Sequence, residues 1–208
     1  MKNLEKFSTV FLVAGFGSFL VAFLVLGIWP AMMTNNIPED GGLPGEIPDD
    51  FKVYYTTLED YQKALLRGRD LYVAEACWHC HSQYVRPVGA ESVRYGLIST
   101  PGEYENELNR PQLFGTRRVG PDLTREAGKR TNDWHFAHLY DPKNTVVESV
   151  MPRYSWYFEK GTNPPKPTKD GVALVAYIQS LGKWATSVNS THHDMNEVIM
   201  PPVVPSGN

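Results

Sequence analysis

Cysteine is nearly absent: the 208 residues hold only two, Cys77 and Cys80. A secreted domain stapled by disulfides carries four or more, so that architecture is excluded and the pair has another task. Charge of one sign is lacking too. The net charge is -3, and no basic run dominates, which argues against nucleic acid as a partner. Histidine is sparse at six residues, and no second long apolar segment accompanies the first. A polytopic, histidine-rich metal bundle therefore has no place in this chain. No internal repeat is present, and no stretch sustains the two-residue alternation of a half-buried sheet. Glycine (17) and proline (16) are plentiful by contrast, and point to many loops between short helices. Aromatics at 12% suit a small domain packed around a flat group.

One uncharged run stands out. Phe7 to Trp29 spans 23 residues. As a helix it rises roughly 34 Å, enough to cross a hydrocarbon core of about 30 Å. Lys2 and Lys6 precede it, so the positive-inside rule leaves the N-terminus in the cytoplasm and everything after Trp29 on the outer side. A cleaved signal peptide would have a shorter apolar core and an A-x-A-like site, and neither is present. The expectation is an uncleaved anchor over residues 1–33, with membrane lipid as its surroundings. Ala14, Ser18 and Ala22 fall four apart, a stripe of small side chains that lets another membrane helix approach closely.

Residues 34–50 are rich in Pro, Gly and acid and read as a linker. A domain over 51–185 follows, mostly α with long loops. Thr57 with Asp60 predicts a capped helix running to Ala76, with Tyr61, Leu65, Gly68 and Tyr72 on one face. Thr168 predicts the cap of a last helix near 171–181, striped by Leu174, Val175, Ile178 and Leu181 and ended by Gly182. Residues 186–208 read as an extended polar tail.

Cys77-Trp78-His79-Cys80-His81 is the C-x-x-C-H pattern of haem attachment. Two thiols three positions apart on one helical turn reach both vinyl groups of one haem, and the next residue points an imidazole at the iron. A thioredoxin-like pair would open a helix after a strand, whereas this motif closes an amphipathic helix. A zinc site would need a second half, which the sequence does not supply. An electron-carrying haem iron takes a second axial ligand, and a thioether gives the higher potentials. Outside the anchor the methionines are Met151, Met195 and Met200. Met151, in an irregular stretch before the last helix, is the favoured ligand. Gly120-Pro121-Asp122-Leu123 offers the Pro121 carbonyl as acceptor for the other ring proton of His81, although alone it is only a turn signal. Arg86, Arg94, Arg117 and Arg118 are candidate partners for haem propionates, with Arg86 foremost. His79 reads as an exposed spacer and His135 with His138 as structural. His192, His193 and Met195 read as solvated tail residues, and the Asn189 sequon carries little weight. The long segment between His81 and Gly120 is expected to face a partner.

In order along the chain, these features resemble class I cytochromes c: Gly68 and Tyr72, then C-x-x-C-H, G-P-x-L, a methionine loop, and Leu174-Val175-Ala176-Tyr177. The resemblance implies that the first and last helices cross at Gly68 and Tyr72 against Leu174 and Tyr177. A narrower resemblance is to the FixO or CcoO family, the monohaem membrane subunit of cbb3-type cytochrome c oxidases. It rests on CWHCHSQYVRP (77–87), RYG (94–96), GTRRVGPDL (115–123), DWHFAHLYDP (133–142) and SVMPRYSW (149–156). The chain departs from that pattern at Glu148 and Ser155, where family members usually have proline. The resemblance implies one covalent haem c with His81 and Met151 on the iron. The implied partners are a haem–copper catalytic subunit and a dihaem cytochrome c subunit, in a bacterial inner membrane with the haem domain on the periplasmic side. The cytochrome subunit of a nitric oxide reductase and a free-standing anchored cytochrome are the competing readings. H-S-Q-x-x-R-P after the haem motif favours the oxidase over the reductase.

Overall fold

The computed structural model describes residues 2–34 and 42–183. It divides into two units, Met1–Pro38 and Glu39–Asn208. The first is a single apolar rod. Helix α1 spans Lys2–Ala22, a π-helical turn follows at Phe23–Ile28, and α2 spans Trp29–Thr34. Phe7–Met33, 27 residues, is long and apolar enough to cross a membrane, and its side chains are all exposed. A helix suits lipid because it pairs its own backbone groups where no water is available. Ser18 fits the same logic, its hydroxyl donating to the Gly15 carbonyl at 3.0 Å.

The second unit is mostly helical, and no strand occurs among the described residues; Phe158 and Pro167 make one isolated bridge. Its helices are α3 (Leu58–Ala74), α4 (Cys77–Cys80), α5 (Glu91–Tyr95), α6 (Pro101–Tyr104), α7 (Asn132–Tyr140) and α8 (Lys169–Ser180). Thr57 caps α3 as expected, accepting from the Asp60 N–H at 3.2 Å while its hydroxyl donates to the Asp60 carboxylate at 2.7 Å. Thr168 caps α8, accepting from the Gly171 N–H at 3.2 Å. Helix α3 buries one face, Tyr61, Leu65, Gly68, Leu71 and Tyr72 among it, and ends at Ala74, two residues short of the expected limit. Helix α8 is buried all round from Gly171 to Ile178, which makes it the centre of the core. The folded unit also begins earlier than expected. Leu43 and Ile47, within the segment read as linker, pack against the core because even isolated apolar side chains gain by leaving water.

The two principal helices cross where α3 has no side chain. A Cβ on Gly68 would lie 2.0 Å from the Ala173 carbonyl oxygen and 2.7 Å from the Tyr177 Cβ. The contact at this glycine is therefore with Ala173 and Tyr177. Leu174, the residue expected there, is fully buried beside it. One turn on, the Tyr72 and Tyr177 rings meet edge-on at 5.5 Å.

The segment between His81 and Gly120 is tied to the main core, which takes in Leu108 and Leu113. Val85, Leu108 and Leu113 are buried, the Thr100 N–H donates to the Glu103 carboxylate at 2.9 Å, and Arg125 reaches the same carboxylate at 2.7 Å. Replacing Gly68→Ala drives a methyl into the Ala173 carbonyl and should cost roughly 1–3 kcal/mol, the usual penalty of overpacking. Thermal denaturation of the full chain in detergent measures it. A melting temperature equal to wild type would show that the helices part without loss.

Candidate haem site

Helix α3 delivers the chain to Ala76, a non-glycine residue in the left-handed region (φ 56, ψ 28), which turns the backbone sharply into α4. Cys77 and Cys80 open and close that single turn, and both are free. Cys80 is exposed, whereas Cys77 is half-buried against the core. Burial and, secondarily, the Glu75 charge push the Cys77 thiol up to about 12. A thioredoxin-like pair works by the opposite shift, a thiolate favoured at neutral pH. Here the Cys77 sulfur is held neutral instead, with Cys80 on the same turn.

His81 follows directly. Its Nδ1 lies 2.9 Å from the Pro121 carbonyl oxygen. A carbonyl only accepts, so Nδ1 carries the proton and Nε2 keeps its lone pair. Burial holds the imidazole below its ordinary pKa, against the pull of the Pro121 carbonyl and the Asp122 charge, which keeps it neutral as a ligand must be. Gly120 makes this placement possible. A Cβ there would sit 2.2 Å from His81 Cε1 and 2.7 Å from both ring nitrogens. The Gly120 N–H donates to the Cys80 carbonyl at 3.1 Å and the Tyr72 hydroxyl to the His81 carbonyl at 3.1 Å, tying motif, turn and helix α3 together. G-P-D-L is thus a socket for one ring: glycine leaves the room, and the proline carbonyl fixes the tautomer.

Met151 is half-buried and packs against the same core cluster, its N–H donating to Ser149 Oγ at 3.2 Å. Two thiols on one turn, an imidazole with a free Nε2 and a thioether on a neighbouring loop are the donor set that a c-type haem takes. The family of mono-haem cytochrome c oxidase subunits, FixO, matches residues 1–169. The chain belongs to this family. No curated protein sequence matches it. The match takes in the apolar helix, the C-x-x-C-H turn, the His81 socket and the Met151 loop, and stops at the first residue of α8.

A FixO-family chain needs more than the motif to hold its site. Asp122, buried within the socket, accepts from Ser82 Oγ at 2.5 Å, from the Tyr84 N–H at 3.1 Å and from the Thr124 N–H at 2.9 Å. It thereby holds Ser82 and Tyr84, in the stretch just after His81. Arg118 joins this cluster, donating through Nε to Ser82 Oγ at 2.6 Å and also reaching Glu91, the Tyr84 carbonyl and the face of Tyr95. Arg86 pairs with Glu91 as well, through its backbone N–H at 2.9 Å and Nε at 2.7 Å. The carboxylate beside Arg86 is therefore the protein's own. Sequence reasoning did not connect Glu91 with Arg118 or Asp122 with Ser82, because these contacts span 27 and 40 positions.

The other singled-out residues have partners of their own. His79 stacks on Trp78 at 4.0 Å, with Nδ1 3.3 Å from Thr116 Oγ1. His138 stacks on Trp134 at 4.7 Å and meets Thr145 Oγ1 at 2.6 Å, while His135 is buried beside them. Arg94 lies over the Tyr95 ring at 5.2 Å. Among the described residues no three His, Cys, Asp or Glu side chains gather as a metal site. Asn189, His192, His193, Met195 and Met200 lie outside the described residues.

Glu91 makes the pH response of this region testable. Burial alone would raise its pKa, but hydrogen bonds from the Arg86 side chain and backbone and from Arg118 bring it down to about 2, against an ordinary 4.5. A depressed carboxylate contributes stability that is full above about 4.5 and is lost as pH falls toward 2. Glu91→Gln should melt about 5 °C or more below wild type at pH 7, since it takes from Arg118 the nearer of its two carboxylates and from Arg86 the carboxylate it pairs with. Below pH 4.5 the two melting curves should converge. A gap that stays constant from pH 7 to pH 3 would remove this ion pair from the account.

Proposed function

We propose that this chain holds one haem c by thioether bonds from Cys77 and Cys80, with His81 and Met151 as the axial ligands. We further propose that it relays single electrons in a cbb3-type oxidase. The electrons pass from a dihaem cytochrome c subunit to the haem–copper subunit that reduces oxygen. The observation that carries the reading is the His81 socket. One residue beyond two free cysteines on a single turn, an imidazole is locked by the Pro121 carbonyl and admitted by the bare face of Gly120. When bound, the haem supplies a one-electron iron couple.

The residues divide the remaining work. Pro121 fixes the tautomer that leaves Nε2 free, and burial keeps the ring neutral. The Met151 thioether favours ferrous iron and a higher potential. Asp122 and Arg118 keep the segment after His81 from moving when the charge at the site changes. The apolar helix Phe7–Met33 anchors the chain in the inner membrane, surrounded by lipid, and Lys2 and Lys6 ahead of it favour a haem domain on the periplasmic side. Membership of an oxidase-subunit family favours this reading over a nitric oxide reductase subunit or a free shuttle. Oxygen reduction itself belongs to the catalytic partner.

Denaturing electrophoresis with haem staining tests the attachment. Wild type should keep its haem after acid–acetone extraction, and Cys77→Ala with Cys80→Ala should lose it. Haem that washes out of wild type would end the proposal. Spectroelectrochemistry of the full chain tests the ligand. Met151→Ala should bind carbon monoxide and drop the potential by more than about 59 mV, a tenfold shift for one electron. Met151→His should stay six-coordinate at a lower potential. A Met151→Ala protein that keeps the wild-type potential would place the ligand elsewhere.

A further inference from the structure

Trp156 is 58% exposed although it carries the largest apolar side chain of all. It is nevertheless held in place. Its indole N–H donates to Glu75 Oε1 at 3.1 Å, and the Tyr157 hydroxyl donates to the same oxygen at 2.6 Å. Glu75 stands two residues before Cys77, so the carboxylate that orients Trp156 grows from the backbone leading into the haem turn. An indole left in water but fixed by its polar edge has already lost the freedom that binding would otherwise cost.

Behind Trp156 lies a buried aromatic. The Tyr154 ring is 6% exposed, and its centroid is 5.3 Å from that of Trp156, near-perpendicular at 65°. The Tyr154 N–H is anchored on the Leu139 carbonyl at 2.9 Å, and Tyr154 belongs to the core cluster against which Cys77 packs. From solvent inward, Trp156 meets the ring of Tyr154, and Tyr154 lies in the core cluster on which the first sulfur-bearing residue of the turn rests. The loop that carries Trp156 also leaves Val147 (79%) and Val150 (77%) exposed, apolar surface just ahead of the half-buried Met151.

We infer that Trp156 is the residue through which electrons cross between this chain and a protein partner bearing its own one-electron centre, with Tyr154 bridging Trp156 to Cys77. Electron tunnelling weakens exponentially with distance and faster through gaps than through packed atoms. A route through packed aromatics toward a sulfur bonded to the haem edge is therefore favoured. In the step one electron leaves the reduced centre of one protein and reduces the oxidised centre of the other. No bond forms or breaks and no proton moves, and the two rings act as the medium without being oxidised. Trp156 also has the traits of an interface anchor, a rigid, amphipathic aromatic beside apolar neighbours.

The inference rests on the haem reading above, and the test separates the two. The purified complex is compared with wild type, Trp156→Ala and Trp156→Phe in this chain. Readouts are covalent haem content, midpoint potential, the rate of haem-to-haem equilibration after flash reduction, and hydroxyl-radical labelling of Trp156 in the isolated chain and in the complex. Trp156→Ala should retain haem and potential and slow equilibration on the order of tenfold, the scale of losing one anchor aromatic. Trp156→Phe, which keeps a ring, should recover most of the rate. Trp156 should be labelled in the isolated chain and protected in the complex. An alanine variant that equilibrates at the wild-type rate, a potential that moves with the substitution, or a Trp156 labelled equally in both states would each overturn the inference. Loss of haem from the denatured wild-type chain would instead strike the haem reading.

Discussion

The close approach of α3 to α8 at Gly68 governs the rest of the domain. A carbonyl oxygen 2.0 Å from where a Cβ would sit leaves one tolerated residue at that point. The crossing fixes where α3 ends, hence where Ala76 reverses the chain, hence where the two sulfurs and His81 stand. Tyr72 joins crossing to site, with its ring against Tyr177 and its hydroxyl on the His81 carbonyl. Tyr177 extends the link by exchanging hydrogen bonds with Gln83, two residues past His81. Packing of two helices is in this way transmitted to the orientation of one imidazole.

Around that frame the site uses few charges, and each is compensated. Asp122 is buried yet takes three hydrogen bonds, from one hydroxyl and two backbone N–H groups. Arg118, almost wholly buried, meets Glu91 and Asp122. A charge withdrawn from water is tolerated only when so paired, and removing one partner costs more than the pair contributes. The cluster ties residues 82–91 to 118–122, the two sides of the loop that follows the haem turn. Glu75 plays a related part on the opposite flank, joining the end of α3 to Trp156 and Tyr157.

Some of this was legible from the chain itself. The apolar run from Phe7 to Trp29, the threonine caps of α3 and α8, and the C-x-x-C-H turn are local patterns. Their cause lies within a few residues: hydrophobicity over one span, a side-chain oxygen three positions from an N–H, two thiols on one turn. The Pro121 carbonyl was legible only as a turn, because nothing in G-P-D-L says which ring will lie against it. The packing of Leu43 and Ile47 was not legible, since the Gly and Pro around them mask it and their burial depends on a surface made elsewhere.

The sequence by itself determined the local chemistry: a membrane-length helix, two capped helices, a pair of sulfurs and a histidine in fixed order. Only the tertiary structure decided which groups meet. Glu91 claims Arg86 and Arg118, Asp122 holds Ser82 and Tyr84, and Trp156 is bound to Glu75 across 81 positions. Such pairings follow from how the long loops return to the α3–α8 crossing. Hydrogen bonds and ion pairs of that kind form wherever packing brings a donor within reach of an acceptor, whatever their separation along the chain.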